Sequence, residues 1–242
     1  MRLGDEVGGR FRLVRRAGAG GMGVVFHADD LERGGPVAVK IVAGSALELE
    51  RFTREAEVLA GIDDPRIVRY LAHGAHGDAR YLALEWLDGE DLSRRLARGP
   101  MDEDEVLRLA HGLAEALAVL HARGVVHRDI KPSNVFLVGG SVDAVKLLDL
   151  GVARDLSGGL GLTATGATIG TPAYMAPEQA RGEPVDARAD LFALGCLLFE
   201  SLTGRTPFHA APPIAAPARL LFEDAPRLGD SPPDLGAAPP GL

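Results

Sequence analysis

Eight residues, HRDIKPSN at 127–134, bring together a histidine, an arginine, an aspartate, a lysine and an asparagine. A second aspartate, Asp149, follows in VKLLDLG, between an apolar run and Gly151. A carboxylate and an amide oxygen make a hard-ligand pair suited to Mg2+. Of Asp129 and Asp149, one can join Asn134 on such an ion, and the other is left to act on a hydroxyl. Lys131, two residues from Asp129, can neutralise charge on a group in transfer. Upstream, GAGGMGVVF sets Gly18, Gly20 and Gly23 in a G-x-G-x-x-G pattern. Glycines there let the backbone approach phosphates and donate N–H groups to them. The pattern alone also suits a plain turn or a dinucleotide fingerprint. The fingerprint needs a helix next, and VVFHADD reads as a strand, so the loop belongs in a hairpin. Lys40, in VAVK, sits in an apolar strand, where a cation is costly without a partner. It either faces water at an edge or lies under the glycine loop, where phosphates would be. Glu55 and Glu57 both follow it on a helix, but on different faces, so at most one points at Lys40.

These groups must be held by a scaffold, and the apolar periodicity shows one. RFRLVRRAG and PVAVKIV alternate, GVVFHADD is β-rich, and IVRYLAHGA and RYLALEWL read as further strands. Between them, residues 46–60 switch to helical spacing, with Leu49, Phe52, Ala56 and Leu59 on one face. The first ~90 residues thus predict a small sheet with one helix. Beyond them, Val106, Leu109, Leu113, Leu117 and Leu120 form a helical stripe, acidic at its start and closed by Gly124, as dipole and C-cap prefer. Short strands at 135–138 and 145–148 flank the charged loop. A second apolar helix spans DARADLFALGCLLFESLTG and ends at Gly204. Residues 209–242 hold 8 of the 16 prolines and read as loop or disorder, with ARLLFED the one helix-like fragment.

Composition narrows the function classes. The 242 residues, 46% hydrophobic and 25% charged, suffice for one large domain or two small lobes. A net charge of −8 argues against broad nucleic-acid binding. The single cysteine, Cys196, rules out a disulfide framework and fits a reducing, cytoplasmic compartment. The N-terminus lacks a signal peptide's apolar region, the longest apolar runs are too short to span a bilayer, and no internal repeat is visible.

Five stretches, in this order, resemble the protein kinase signature set: GAGGMGV, VAVK, HRDIKPSN, DLG and GTPAYMAPE. The resemblance covers roughly residues 10–208. The KPSN and GTPAYMAPE forms resemble serine/threonine kinases, in the style of bacterial kinases related to the eukaryotic family. It implies an α+β, bilobal kinase-like fold: a β-rich N-lobe at 1–84, a hinge at 85–91, and a mainly helical partial C-lobe at 92–208 lacking its last helices. A proline-rich, poorly ordered remnant at 209–242 would follow. By the same resemblance, Gly18, Gly20 and Gly23 cover the phosphates of ATP, and Val25, Ala38 and Phe136 sandwich the adenine. Lys40 holds the α- and β-phosphates and pairs with Glu55. Glu85 and Leu87 fall at the hinge backbone, Asp91 at the ribose, and Leu84 at the gatekeeper. Asp129 accepts the hydroxyl proton, Lys131 contacts the γ-phosphate, and Asn134 and Asp149 hold Mg2+. Thr171 favours serine or threonine substrates. His127 packs structurally on the DLG triplet, and the remaining histidines, His121 among them, show no ligand spacing. Arg128 and Arg154 would form a basic pocket for a phosphate on Thr163 or Thr165. The implied partners are protein substrates and a second copy of the chain for trans-autophosphorylation.

Two departures stand out. Leu150 replaces the usual phenylalanine of the metal triplet, an apolar swap that still packs. The chain also ends where the family continues with further helices, so Glu178 is expected to lack its usual arginine. That leaves an alternative: a truncated, inactive fragment that at most binds nucleotide. A dinucleotide-dependent oxidoreductase is disfavoured by the strand after Gly23.

Overall fold

The alternating strands of the first ninety residues pair into one antiparallel sheet. A computed structural model describes residues 1–20, 23–150, 172–209 and 216–228. Strands β1 (Glu6–Val7), β2 (Phe11–Gly20), β3 (Gly23–Asp30), β4 (Pro36–Val42), β5 (Tyr70–His76) and β6 (Ala79–Glu85) lie in the order β1-β2-β3-β4-β6-β5. Side chains alternate between faces along each strand. On β4, Val37, Val39 and Ile41 join an apolar cluster with Phe11, Leu13, Phe26, Tyr81 and Ala83. Ala38 and Val42 instead meet Leu82 and Leu84 of β6 and Phe52, Ala56 and Leu59 of helix α1 (Ala46–Ala60). Lys40 shares the face of Ala38 and Val42, so the period of two turns its chain toward α1. The register Val25↔Lys40 and Ala38↔Leu84 then aligns the glycine hairpin, the lysine and the end of β6.

Helix α1 starts at a capping box. The Ser45 hydroxyl accepts from the Glu48 N–H, and the Ser45 N–H donates to Glu48 at 2.7 Å. Such a cap is worth about 1 kcal/mol. Its buried side chains are Phe52, Ala56 and Leu59, as the spacing predicts, together with Glu55.

The remaining chain builds on three helices: α2 (Leu92–Leu96), α3 (Glu103–His121) and, after a short α4 (Pro177–Arg181), α5 (Ala187–Thr203). Asp102 and Glu105 cap α3 reciprocally, and Val106, Leu109, Leu113, Leu117 and Leu120 are buried along it. Helix α5 ends at Gly204, whose φ of 74° is the left-handed C-cap that glycine permits. It is apolar on most sides, buries Ala193, Leu194, Cys196 and Leu197, and packs across α3. Each such leucine contributes about 1.5–3 kcal/mol on burial. A second sheet, β7 (Gly89–Asp91), β8 (Val135–Val138) and β9 (Val145–Leu147), lies in the order β7-β8-β9. It holds the charged loop 127–134 on one side and delivers Asp149 on the other.

Several elements exceed the sequence expectation. Strands β1 and β7 and helices α2 and α4 are two to five residues long, too short for a periodic pattern. The strand expected from Ile67 begins at Tyr70; Ile67 itself makes only an isolated parallel bridge to Leu147. In the proline-rich tail, α6 (Ala216–Phe222) buries Leu220 and packs on α4 and on the turn Pro172–Tyr174. Residues 210–215 and 229–242 lie outside the described residues. Among the described residues no helix is long and apolar enough to cross a membrane.

Candidate active site

The charged loop is fixed from beneath by one buried acid. Asp190, on α5, is fully buried. Its two oxygens accept the N–H of His127 at 2.8 Å, the N–H of Arg128 at 2.7 Å, and a bond with His121 Nε2 at 2.7 Å. These bonds hold Arg128 at φ 63°, a left-handed conformation that costs a non-glycine residue about 1–2 kcal/mol. Asp149 adopts φ 43°, in the same region. Both aspartates of interest thus lie at or beside strained backbone, as functional loops often do.

His127 is also fully buried. Its Nδ1 accepts the Asp129 N–H at 3.3 Å and its Nε2 donates to the Leu148 carbonyl at 3.0 Å. That pattern fits the neutral imidazole, and burial lowers its pKa from the usual value, against the pull of Asp190 and Asp129. Its role is to tie the loop to the strand that carries Asp149.

Asp129, at the loop's tip, accepts from Lys131 Nζ at 2.9 Å and from Asn134 Nδ2 at 3.1 Å. Asn134 Nδ2 also donates to the Asp129 carbonyl at 2.8 Å. Asn134 therefore spends its donor on Asp129 and keeps Oδ1 as its acceptor for a cation. The turn Pro132–Asn134 is clipped by the Leu148 N–H, which donates to the Asn134 carbonyl at 2.9 Å.

Across the site, Lys40 is 6% exposed and its Nζ lies 2.8 Å from Asp149 Oδ1. This corrects the expected Lys40–Glu55 pair. Among the described residues Glu55 makes no ion pair; its Oε1 is buried without a hydrogen-bond partner. Burial pushes the Glu55 carboxyl up to about 8, with Lys40 opposing. For Lys40, desolvation is outweighed by Asp149 and Glu55, and its pKa is raised. So Lys40 stays charged, Asp149 neutralises it, and Glu55 waits within its field. Glu57, the other candidate, is exposed on the opposite face.

Near the glycine hairpin, the positions differ in freedom. A Cβ on Gly23, at φ 124°, would stand 2.2 Å from the Ile41 carbonyl oxygen. Gly18 has open space where its Cβ would point. Val25, Ala38, Leu87 and Phe136 are each half-buried. The Glu85 carboxylate accepts from Lys146 Nζ at 2.6 Å and from the Arg69 N–H at 2.7 Å. Asp91 pairs in register with Phe136 and caps α2 through the Arg94 N–H at 3.1 Å. Gly151, Arg154, Thr163, Thr165, Thr168 and Thr171 lie outside the described residues.

Asn134 and Asp149 are two hard oxygen donors. Among the described residues no group of three or more His, Cys, Asp or Glu is placed to hold a metal. Mg2+ is commonly held by one or two such protein ligands, with phosphate and water oxygens completing its octahedron, so the pair fits that ion.

Sequence reading passed over Asp190 and His121 as working residues. The available signal was an aspartate in the first turn of an otherwise apolar helix, which burial tolerates only when hydrogen-bonded.

The chain matches the family model described as protein kinase domain over residues 11–218. It is 40% identical over 215 residues to the serine/threonine-protein kinase pkn2 of Myxococcus xanthus, covering 85% of this chain and 26% of that protein. It is 42% identical over 207 residues to Pkn1 of the same organism, covering 83% of this chain and 30% of that protein. The chain therefore spans a quarter to a third of these curated relatives. Among solved structures, the kinase domain of Mycobacterium tuberculosis PknI superposes with a TM-score of 0.73 at 28% identity, covering 97% of this chain and 85% of that one.

Proposed function

This chain belongs to the protein kinase family, and from that premise we propose that it transfers the γ-phosphoryl group of ATP to serine or threonine hydroxyls of proteins. The observation that carries the reading is the Asp129–Lys131–Asn134 cluster facing the Lys40–Asp149 pair. Asp129 accepts the hydroxyl proton as the oxygen attacks the γ-phosphorus. The bond from that phosphorus to the β,γ-bridging oxygen breaks, and ADP leaves. Lys131 offsets charge on the group in transfer. Lys40 releases Asp149 to hold the α- and β-phosphates, and Asn134 Oδ1 with the freed Asp149 carboxylate would hold Mg2+. When bound, Mg2+ neutralises phosphate charge. Such transfer depends on positioning and electrostatics more than on covalent chemistry. Gly18, Gly20 and Gly23 cover the phosphates, Val25, Ala38 and Phe136 enclose the adenine, and the main chain of Glu85 and Leu87 reads its edge, with Asp91 at the ribose.

Protein substrates, a cytoplasmic setting, and a second copy of the chain phosphorylating Thr163 and Thr165 belong to the same proposal. Incubation with Mg2+ and radiolabelled ATP, with a basic acceptor protein, tests it beside Asp129→Asn. Label that appears with the parent and vanishes with the variant supports transfer. Mass spectrometry of the same sample reads Thr163 and Thr165. The alternative outcome is nucleotide binding without turnover. Saturable ATP binding with no label transfer would establish it.

A further inference from the structure

We infer that Gln179 is a positioning residue that couples the APE segment to the proton acceptor Asp129. The inference rests on the phosphoryl-transfer reading above. Gln179 sits in α4, directly after Glu178. Its Oε1 accepts the Ala176 N–H at 3.0 Å, and its Nε2 donates to the Arg128 carbonyl at 3.1 Å. A backbone donor on one side and a backbone acceptor on the other leave one orientation for the amide. The Arg128 carbonyl belongs to the peptide that joins Arg128 to Asp129.

Arg128 is therefore gripped from two helices. Asp190 of α5 takes its N–H, and Gln179 of α4 takes its carbonyl. A residue at φ 63° has a lower-energy alternative in the right-handed or extended regions. Both grips are needed to keep the next peptide turned so that Asp129 meets Lys131 and Asn134. Gln179, Met175 and Tyr174 line one crevice with Arg128, Asp129 and Lys131. Among the described residues, the Gln179 side chain thus joins the segment that follows GTPAY to the loop that carries the acid. A shift of α4 is transmitted to Asp129 through the Arg128 carbonyl, on the side of the loop away from Lys40.

Two variants isolate the effect. Gln179→Glu keeps the shape and the bond to Ala176 but presents an acceptor to the Arg128 carbonyl. Gln179→Met removes both bonds. The expected result is hydrogen exchange across 127–131 roughly tenfold faster in both variants, with exchange in β8 unchanged. Turnover number should fall roughly tenfold, with KM for ATP within twofold of the parent. Unchanged exchange at 127–131 overturns the inference whatever the turnover, as does a kcat within twofold of the parent. Exchange that rises equally in β8 also overturns it, because the residue then merely stabilises the fold. If exchange shifts as expected but the parent transfers no more label than Asp129→Asn, the coupling stands and the phosphoryl-transfer reading fails.

Discussion

Lys40 and Asp149, 109 positions apart in the chain, meet at 2.8 Å, and the lysine's charge is met by the very carboxylate assigned to the metal. Each group thereby occupies the other, and under the proposed function phosphate and Mg2+ would compete for them. The pair holds an 8% exposed lysine side chain against a 41% exposed aspartate side chain, so the aspartate retains access to water while the lysine does not.

Lys40→Met should therefore remove function with little effect on fold. Methionine fills the stem's volume, and the released Asp149 is open to solvent. Turnover should fall by roughly 10²–10³-fold, with the melting temperature close to the parent's. Parallel activity and thermal-melt measurements check this, and near-normal turnover would show the phosphate site to be elsewhere.

Glu55 makes stability depend on pH in a stated direction. Its folded carboxyl titrates at about 8, against 4.5 for the ordinary group. Between those values the folded chain binds more protons than the unfolded one, so this group's contribution falls as pH rises from about 4.5 to about 8. Glu55→Gln cannot ionise and should melt higher than the parent by a margin that widens across that window. The shift sets the gain at pH 8 at up to about 4 kcal/mol, each kcal/mol raising the melting temperature by about 2–4 °C for a chain of this size. Melting curves at pH 5, 6.5 and 8 read it; a constant margin would mean that Glu55 is already ionised in the fold.

Asp190→Asn should destabilise strongly. One of the two buried acceptors becomes an NH2 group facing a backbone N–H, either at His127 or at Arg128. The expected loss is about 2–4 kcal/mol in urea denaturation, with turnover lost as Arg128 leaves φ 63°. A loss under ~0.5 kcal/mol would show that the loop holds its shape without this acid.

The two flanking glycines should respond differently to alanine. Gly23→Ala places a methyl 2.2 Å from the Ile41 carbonyl oxygen at a φ that alanine avoids, and should lose about 1–3 kcal/mol of stability. Gly18→Ala meets nothing within 4 Å and should leave the melting temperature unchanged while weakening nucleotide binding. Denaturation and ATP titration of both variants separate the outcomes; equal melting temperatures would place Gly23 elsewhere in the hairpin.

Much of this was legible in the order of residues. Helix α1 covers the predicted 46–60, the stripe Val106–Leu120 is buried along α3, and Gly204 closes α5. Periodicity and caps are local, and each reports which face a segment must bury within a few residues of itself. The motif string likewise brought Asp129, Lys131 and Asn134 together, because they lie within six positions on one turn. What lay beyond reach were the partners chosen across long separations. Lys40 takes Asp149 in place of Glu55, Asp190 holds a loop 62 and 63 positions away, and Gln179 reaches Arg128 across 51. Those choices depend on how helices α1, α4 and α5 pack against the loop, on ångström-scale distances, and on which buried acid is left dry. No local pattern encodes such distances, so only the folded arrangement determines them.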